Sequence, residues 1–175
     1  MAIREILHYP EPLLKQKSVL VTEFNDELKQ LAEDMVETMY AAPGVGLAAP
    51  QVGVLKRVIV LDCSGSEEPA DLLIAVNPEI IGGEGESVEE EGCLSVPGYW
   101  ASVKRTATAT LRYQDTDGNV YERTADGLLA IGMQHEVDHL EGILFVDRLS
   151  PLKRSIFRKK FTKMMKEKEA ADDKG

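Results

Sequence analysis

The chain has 175 residues, 43% of them hydrophobic and 29% charged, with a formal net charge of −10. That length suits one domain with a full core, and the composition is that of a soluble globular protein, neither disordered nor fibrous. No apolar run reaches the ~20 residues of a membrane helix, Met1 to His8 lack the apolar stretch of a secretory signal, and two cysteines make no disulfide scaffold. A cytoplasmic protein with no membrane association is the expectation.

In chain order, His8-Tyr9-Pro10 reads as an N-terminal turn, with His8 structural. The first helix is expected from Asp26 to Tyr40, because Leu28, Leu31, Met35 and Met39 recur at helical spacing and Asn25 can cap it. Pro43-Gly44-Val45-Gly46 then reads as a loop. Strand-like runs follow at 57–62, 72–76 and 106–113. Residues 115–119, Asp-Thr-Asp-Gly-Asn, form a turn into a further strand at 120–123. The acidic, glycine-rich stretch Gly82 to Gly92 reads as a loop or edge segment leading to Cys93.

A second helix is expected from near Asp126 to near Gly142, a suitable residue just past a helix end. A third opens at Ser150-Pro151 and runs to about Lys166, leaving 169–175 as a disordered tail. Residues 1–168 would then form a single catalytic domain that includes this terminal helix. Strands joined by hairpins, without repeated crossovers, favour an α+β fold. Charge is uneven along this domain. Residues 1–150 carry 11 Lys and Arg against 26 Asp and Glu, whereas residues 151–175 carry 9 against 4. A basic terminal helix on an acidic body can seek a polyanion such as RNA; it can equally be a solvated helix whose cations suit its C-terminal dipole.

The chemistry centres on His135-Glu136-Val137-Asp138-His139. Two of the chain's three histidines lie here, four residues apart, so a helix places both imidazoles on one face. They can close on one cation while Glu136 reaches a water on it. A catalytic metal wants three protein ligands and one open position, so the third ligand decides the enzyme class. The metzincin extension fails, since Phe145 stands where its last histidine belongs. A thermolysin-like downstream glutamate would need a further acidic helix, and the one after Gly142 is basic. Cys93, in Glu91-Gly92-Cys93-Leu94-Ser95, remains, either as a thiolate ligand or as a buried apolar cysteine. Cys63 ends an apolar run and suits the second description.

A third segment, Gly44-Val45-Gly46-Leu47-Ala48-Ala49-Pro50-Gln51, completes a pattern. Together the three segments resemble peptide deformylase, through its motifs Gly-x-Gly-x-Ala-Ala-x-Gln, Glu-Gly-Cys-x-Ser and His-Glu-x-x-His, in the family's order. The likeness runs from Ile6-Leu7-His8-Tyr9-Pro10 to Leu149-Ser150-Pro151-Leu152, and the basic helical C-terminus looks like the subgroup typified by Gram-negative enzymes. The resemblance implies antiparallel sheets packed around a central helix that carries the metal motif, plus a C-terminal helix. It implies hydrolysis of the N-formyl group from the formyl-methionine of nascent chains, with Cys93, His135 and His139 as ligands and Glu136 as general base. The Gln51 amide and the Leu94 backbone N–H would stabilise the oxyanion. Fe²⁺ is the implied metal, with Zn²⁺, Ni²⁺ or Co²⁺ able to substitute.

Leu128, Ile131, Gly132 and His135 share a helix face, an apolar surface suited to a methionine side chain, with Gly132 leaving a hollow beside His135. Backbone at Val45 and Gly46 could take the substrate as an added strand. Asp138 is expected to orient a metal ligand, paired with Arg105. The basic helix acquires a reason to meet the ribosome near its exit site. Two other readings stay open. A metalloaminopeptidase would need an anchor for a free ammonium, such as Glu89, Glu90 or Glu91. A non-catalytic, metal-stapled ribosome-binding protein would need a closed site with four protein ligands.

Overall fold

The computed structural model describes residues 2–65 and 70–174. Seven strands and three long helices are present: α1 (Asp26–Ala41), β1 (Gly46–Ala48), β2 (Val58–Asp62), β3 (Leu72–Glu84), β4 (Ser87–Cys93), β5 (Val96–Arg105), β6 (Thr108–Gln114), β7 (Val120–Asp126), α2 (Gly127–Leu140) and α3 (Pro151–Lys174). Every strand pairing is antiparallel. One sheet has the order β1-β2-β3-β6-β7, and a second is the β4-β5 hairpin. This is the expected α+β arrangement around a central helix.

The run Val58-Ile59-Val60-Leu61 is buried throughout because both of its faces are covered. Val58 and Val60 pack with Leu28, Leu31, Met35 and Met39 of α1. Ile59 and Leu61 face the opposite way and pack with Met133 and Leu140 of α2. Period-two alternation thus assigns one strand's side chains to two helices. Asn25 caps α1 as expected, its side chain accepting from Leu28 N at 3.0 Å.

α2 ends in a Schellman motif. Gly142 N donates to His139 O (3.1 Å) and Ile143 N to Asp138 O (2.9 Å), with Gly142 at φ +76. A β-carbon at Gly142 would also lie 2.3 Å from Lys15 O, so glycine is required there twice over. The carbonyls of the motif helix's last turn are thereby fixed at the level of His139.

Several boundaries differ from expectation. Of the two readings of Gly82 to Gly92, the edge segment holds and the loop does not: β3 runs on to Glu84, pairing Gly82 and Gly83 with Thr110 and Ala109, and β4, paired on one side, leads to Cys93 after a tight turn. A β-carbon on Gly83 would stand 3.0 Å from Thr108 O, so strand proximity explains the glycine there. β5 went unread because Pro97 and Gly98 at its start hide the alternation that follows. β1 begins at Gly46, the last residue of the stretch expected to be a loop, and the strand read from residue 106 begins at Thr108.

α3 continues to Lys174, well past Lys166 and through most of the expected tail; Gly175 lies outside the described residues. Its second half is rich in Lys, Glu and Ala, with no glycine or proline to end it. Phe157 anchors this helix among Val96, Val103, Phe145 and Leu149. No helix among the described residues is long and apolar enough to cross a membrane.

Candidate metal centre

Two elements assemble the site. α2 presents His135 and His139 one turn apart, and the end of β4 brings Cys93 against them. Donor atoms of the three residues lie within 4.8 Å of one another. Cys93 Sγ is 3.4 Å from His139 Nε2. A thiolate and an imidazole sharing a tetrahedral ion at bond lengths near 2.3 and 2.0 Å would be separated by about 3.5 Å. Spacing and donor chemistry therefore fit a divalent cation. Among the described residues the cluster has three members, which leaves one coordination position open, as a catalytic site needs.

Behind the ligands lies a charged relay. Glu91 Oε1 sits 2.9 Å from His135 Nδ1, which leaves His135 Nε2 for the ion. Arg105 holds both carboxylate oxygens of Glu91, at 2.7 and 2.9 Å, and reaches Asp138 at 3.0 Å. Arg148 clamps Asp138 from outside with two bonds of 2.7 Å. The expected Arg105–Asp138 pair is present, but the carboxylate that touches a metal ligand is Glu91. Sequence reasoning gave Glu91 no such part. Its position two residues before Cys93, in the same short motif, was the available signal.

Burial disfavours the charged form of Glu91, yet hydrogen bonds from His135 and Arg105 outweigh it and hold the carboxyl below its ordinary value. Burial likewise opposes a charge on His135, but Cys93, Glu91 and Glu136 carry it well above the ordinary imidazole value. Groups that favour a proton there would favour a divalent cation equally. Burial, and then the neighbouring His135, push His139 well below its ordinary value and keep it a neutral ligand.

Glu136 is 3% exposed, and burial raises its carboxyl to about 7. Oε1 lies 3.7 Å from His135 Nε2, whereas Oε2 is buried without a hydrogen-bond partner. Its side chain packs against Gly46, where a β-carbon would meet Glu136 Cδ at 3.1 Å and Leu61 Cδ2 at 2.8 Å. Gln51, also buried, is oriented from behind: Oε1 accepts from Ala48 N (2.9 Å), while Nε2 donates to Ser95 Oγ (3.0 Å) and lies 3.6 Å from Cys93 Sγ. Ser95 is a second residue that sequence reasoning missed. Leu94 sits in the turn between β4 and β5, its side chain pressed against Gly44.

The expected substrate-binding residues divide. Ile131 is buried and Leu128 is exposed, both on α2. Gly132 leaves no hollow: a β-carbon there would stand 3.0 Å from Leu61 Cδ2 and 3.5 Å from Cys63 Sγ, so close packing of α2 on β2 accounts for the glycine. Burial, followed by the charge of Glu136, pushes the Cys63 thiol up to about 11. That makes it an inert lining group. Val45 and Gly46 lie at the edge of the five-stranded sheet, where β1 pairs with β2 alone.

A family model described as polypeptide deformylase matches residues 3–155. The chain is 52% identical to a peptide deformylase of Thermodesulfovibrio yellowstonii, over 92% of this chain and 98% of that protein. It is 49% identical to one from Syntrophobacter fumaroxidans, over 95% and 98%. Among solved structures, a peptide deformylase from Legionella pneumophila superposes with a TM-score of 0.88 at 46% identity, covering 96% of this chain and 98% of that one. Another, from Synechococcus elongatus in complex with actinonin, gives 0.82 at 41% identity, over 86% and 83%.

Proposed function

The chain belongs to the peptide deformylase family, and from that premise we propose that Glu136, Gln51 and Leu94 carry out the hydrolysis beside a cation held by Cys93, His135 and His139. The enzyme is a metal-dependent amide hydrolase that removes the N-formyl group from the N-terminal formyl-methionine of nascent polypeptides and releases formate. The observation that carries the assignment of roles is the placement of Glu136, a buried carboxylate with Oε1 3.7 Å from His135 Nε2 and Oε2 without a hydrogen-bond partner.

When bound, the metal supplies Lewis acidity, which can bring a water's pKa to about 7. Glu136 takes the proton from the attacking water and hands it to the departing amine. Gln51 Nε2 and the Leu94 N–H receive the oxyanion as it forms. Gln51 is preorganised for this by its bond to Ala48, so little reorganisation accompanies the reaction. Glu91 and Arg105 keep His135 in one tautomer and one orientation.

Leu128 and Ile131 offer apolar surface for the methionine side chain, and the Val45–Gly46 edge takes the substrate backbone as an added strand. A ligand set of one thiolate and two imidazoles accepts Fe²⁺, Zn²⁺, Ni²⁺ or Co²⁺; the family's association with ferrous iron favours Fe²⁺. An aminopeptidase is disfavoured because Glu91, its best-placed ammonium anchor, is buried and already committed to Arg105 and His135. The enzyme's place of work is the cytoplasm, and α3, with Lys153, Arg154, Arg158, Lys159, Lys160, Lys163, Lys166 and Lys168, is its contact with ribosomal RNA.

The decisive assay follows formate release from a formyl-methionyl tripeptide by protein purified without oxygen. Glu136→Gln should lower the rate by about 10²–10⁴-fold while metal content stays unchanged. Cleavage of the unblocked tripeptide without formate release would overturn the assignment.

A further inference from the structure

We infer that Tyr40 and Asp62 form a positioning pair that holds the Gly44–Gly46 segment at the height and angle the substrate backbone requires. This rests on the reading of β1 as the edge that receives the peptide.

β1 is three residues long and paired on one side, so its ladder alone holds it weakly. Asp62, at the end of β2 and 7% exposed, ties down the chain that leads into it. Its backbone N–H donates to Val45 O at 2.8 Å. Its carboxylate accepts from the Tyr40 hydroxyl, in the last turn of α1, on one oxygen, and from Ser64 N and Oγ on the other. One residue therefore grips both ends of the 40–45 connection, and a hydroxyl donating to a largely buried carboxylate is a strong, short bond.

What this connection carries is the reason to hold it. At one end Gly44 lies against Leu94, where a β-carbon would be 2.7 Å from Cδ1. At the other, Gly46 lies against Glu136 and Leu61. The segment is thus wedged between the residue offering the oxyanion N–H and the general base. A looser segment would weaken the backbone bonds this edge offers to the substrate chain. The Tyr40 hydroxyl donates to Asp62 and its ring is half exposed, so it acts through Asp62 and the loop.

The test compares two substrates on the full-length, Co²⁺-loaded enzyme: a formyl-methionyl tripeptide and formyl-methionine amide, which has no backbone beyond the first residue. Tyr40→Phe should raise KM for the tripeptide about fivefold, the worth of one hydrogen bond. Its kcat should stay within about twofold, and kcat/KM for the short amide should not change. Asp62→Asn keeps an oxygen for the Tyr40 hydroxyl and should fall between Tyr40→Phe and the parent. Equal losses on both substrates, or an unchanged tripeptide KM, would overturn the pair's role. A parent enzyme that handles both substrates with the same kcat/KM would instead remove the β1-edge reading, and the inference with it.

Discussion

Glu136 shows how a single position is tuned by its surroundings. Exposed, this carboxylate would be fully ionised and a weak base; buried beside a ligand, it is held to about 7. The raised value links pH to stability. The native state of the metal-free protein binds more protons at Glu136 than the unfolded chain does between about 4.5 and about 7. The stabilisation from its neutral form is therefore complete below about pH 4.5 and lost as pH rises through about 7. Glu136→Gln, neutral at every pH, should remove this fall, on the order of 3 kcal/mol, from the pH dependence of unfolding in urea. Identical pH profiles for parent and variant would show that Glu136 is not desolvated as described.

At the scale of elements, the decisive unit is the β4-β5 hairpin, whose side chains reach α2. It brings Cys93 to the histidines, Glu91 to His135 and Arg105 between Glu91 and Asp138, with a shift of register between Glu91 and Cys93. The two histidines and Glu136 were legible because helical spacing is local, and the Gly142 stop was legible for the same reason. The hairpin was not legible, since Gly92, Pro97 and Gly98 mask its alternation. Gly92 itself is explained by Trp100, whose ring would come within 2.4 Å of a β-carbon there. Glu91→Gln keeps the size of the side chain but takes the charge from between His135 and Arg105. It should weaken metal binding about tenfold, measured by competition with a chromophoric chelator. Unchanged affinity would sink the relay.

Taken whole, the molecule sets most of α3 apart from its core. The β4-β5 hairpin and α2 hold the site, while α3 is anchored by Phe157 and is exposed along its length from Thr162 to Asp172. That half of α3 makes little of the core, so its cations are available to a polyanion. Reversing Lys159, Lys163 and Lys166 to Glu should abolish salt-sensitive sedimentation with ribosomes and leave formate release from free peptides unchanged. Retained sedimentation would remove α3 from the ribosome contact.

By itself the sequence determined the identity and order of the reactive groups, the helix that spaces His135 and His139, and the caps that bound it, because each depends on residues within about a turn of one another. It also carried a three-segment pattern specific enough to name a family. Only the tertiary structure decided that Glu91 is the carboxylate behind His135, that Gly132 is filled by Leu61 and Cys63, and that Asp62 straps the β1 edge to α1. Those partners lie 44, 71 and 22 residues apart. What joins them is loss of water around both members of a pair, and desolvation belongs to the packed chain, with no counterpart in local spacing.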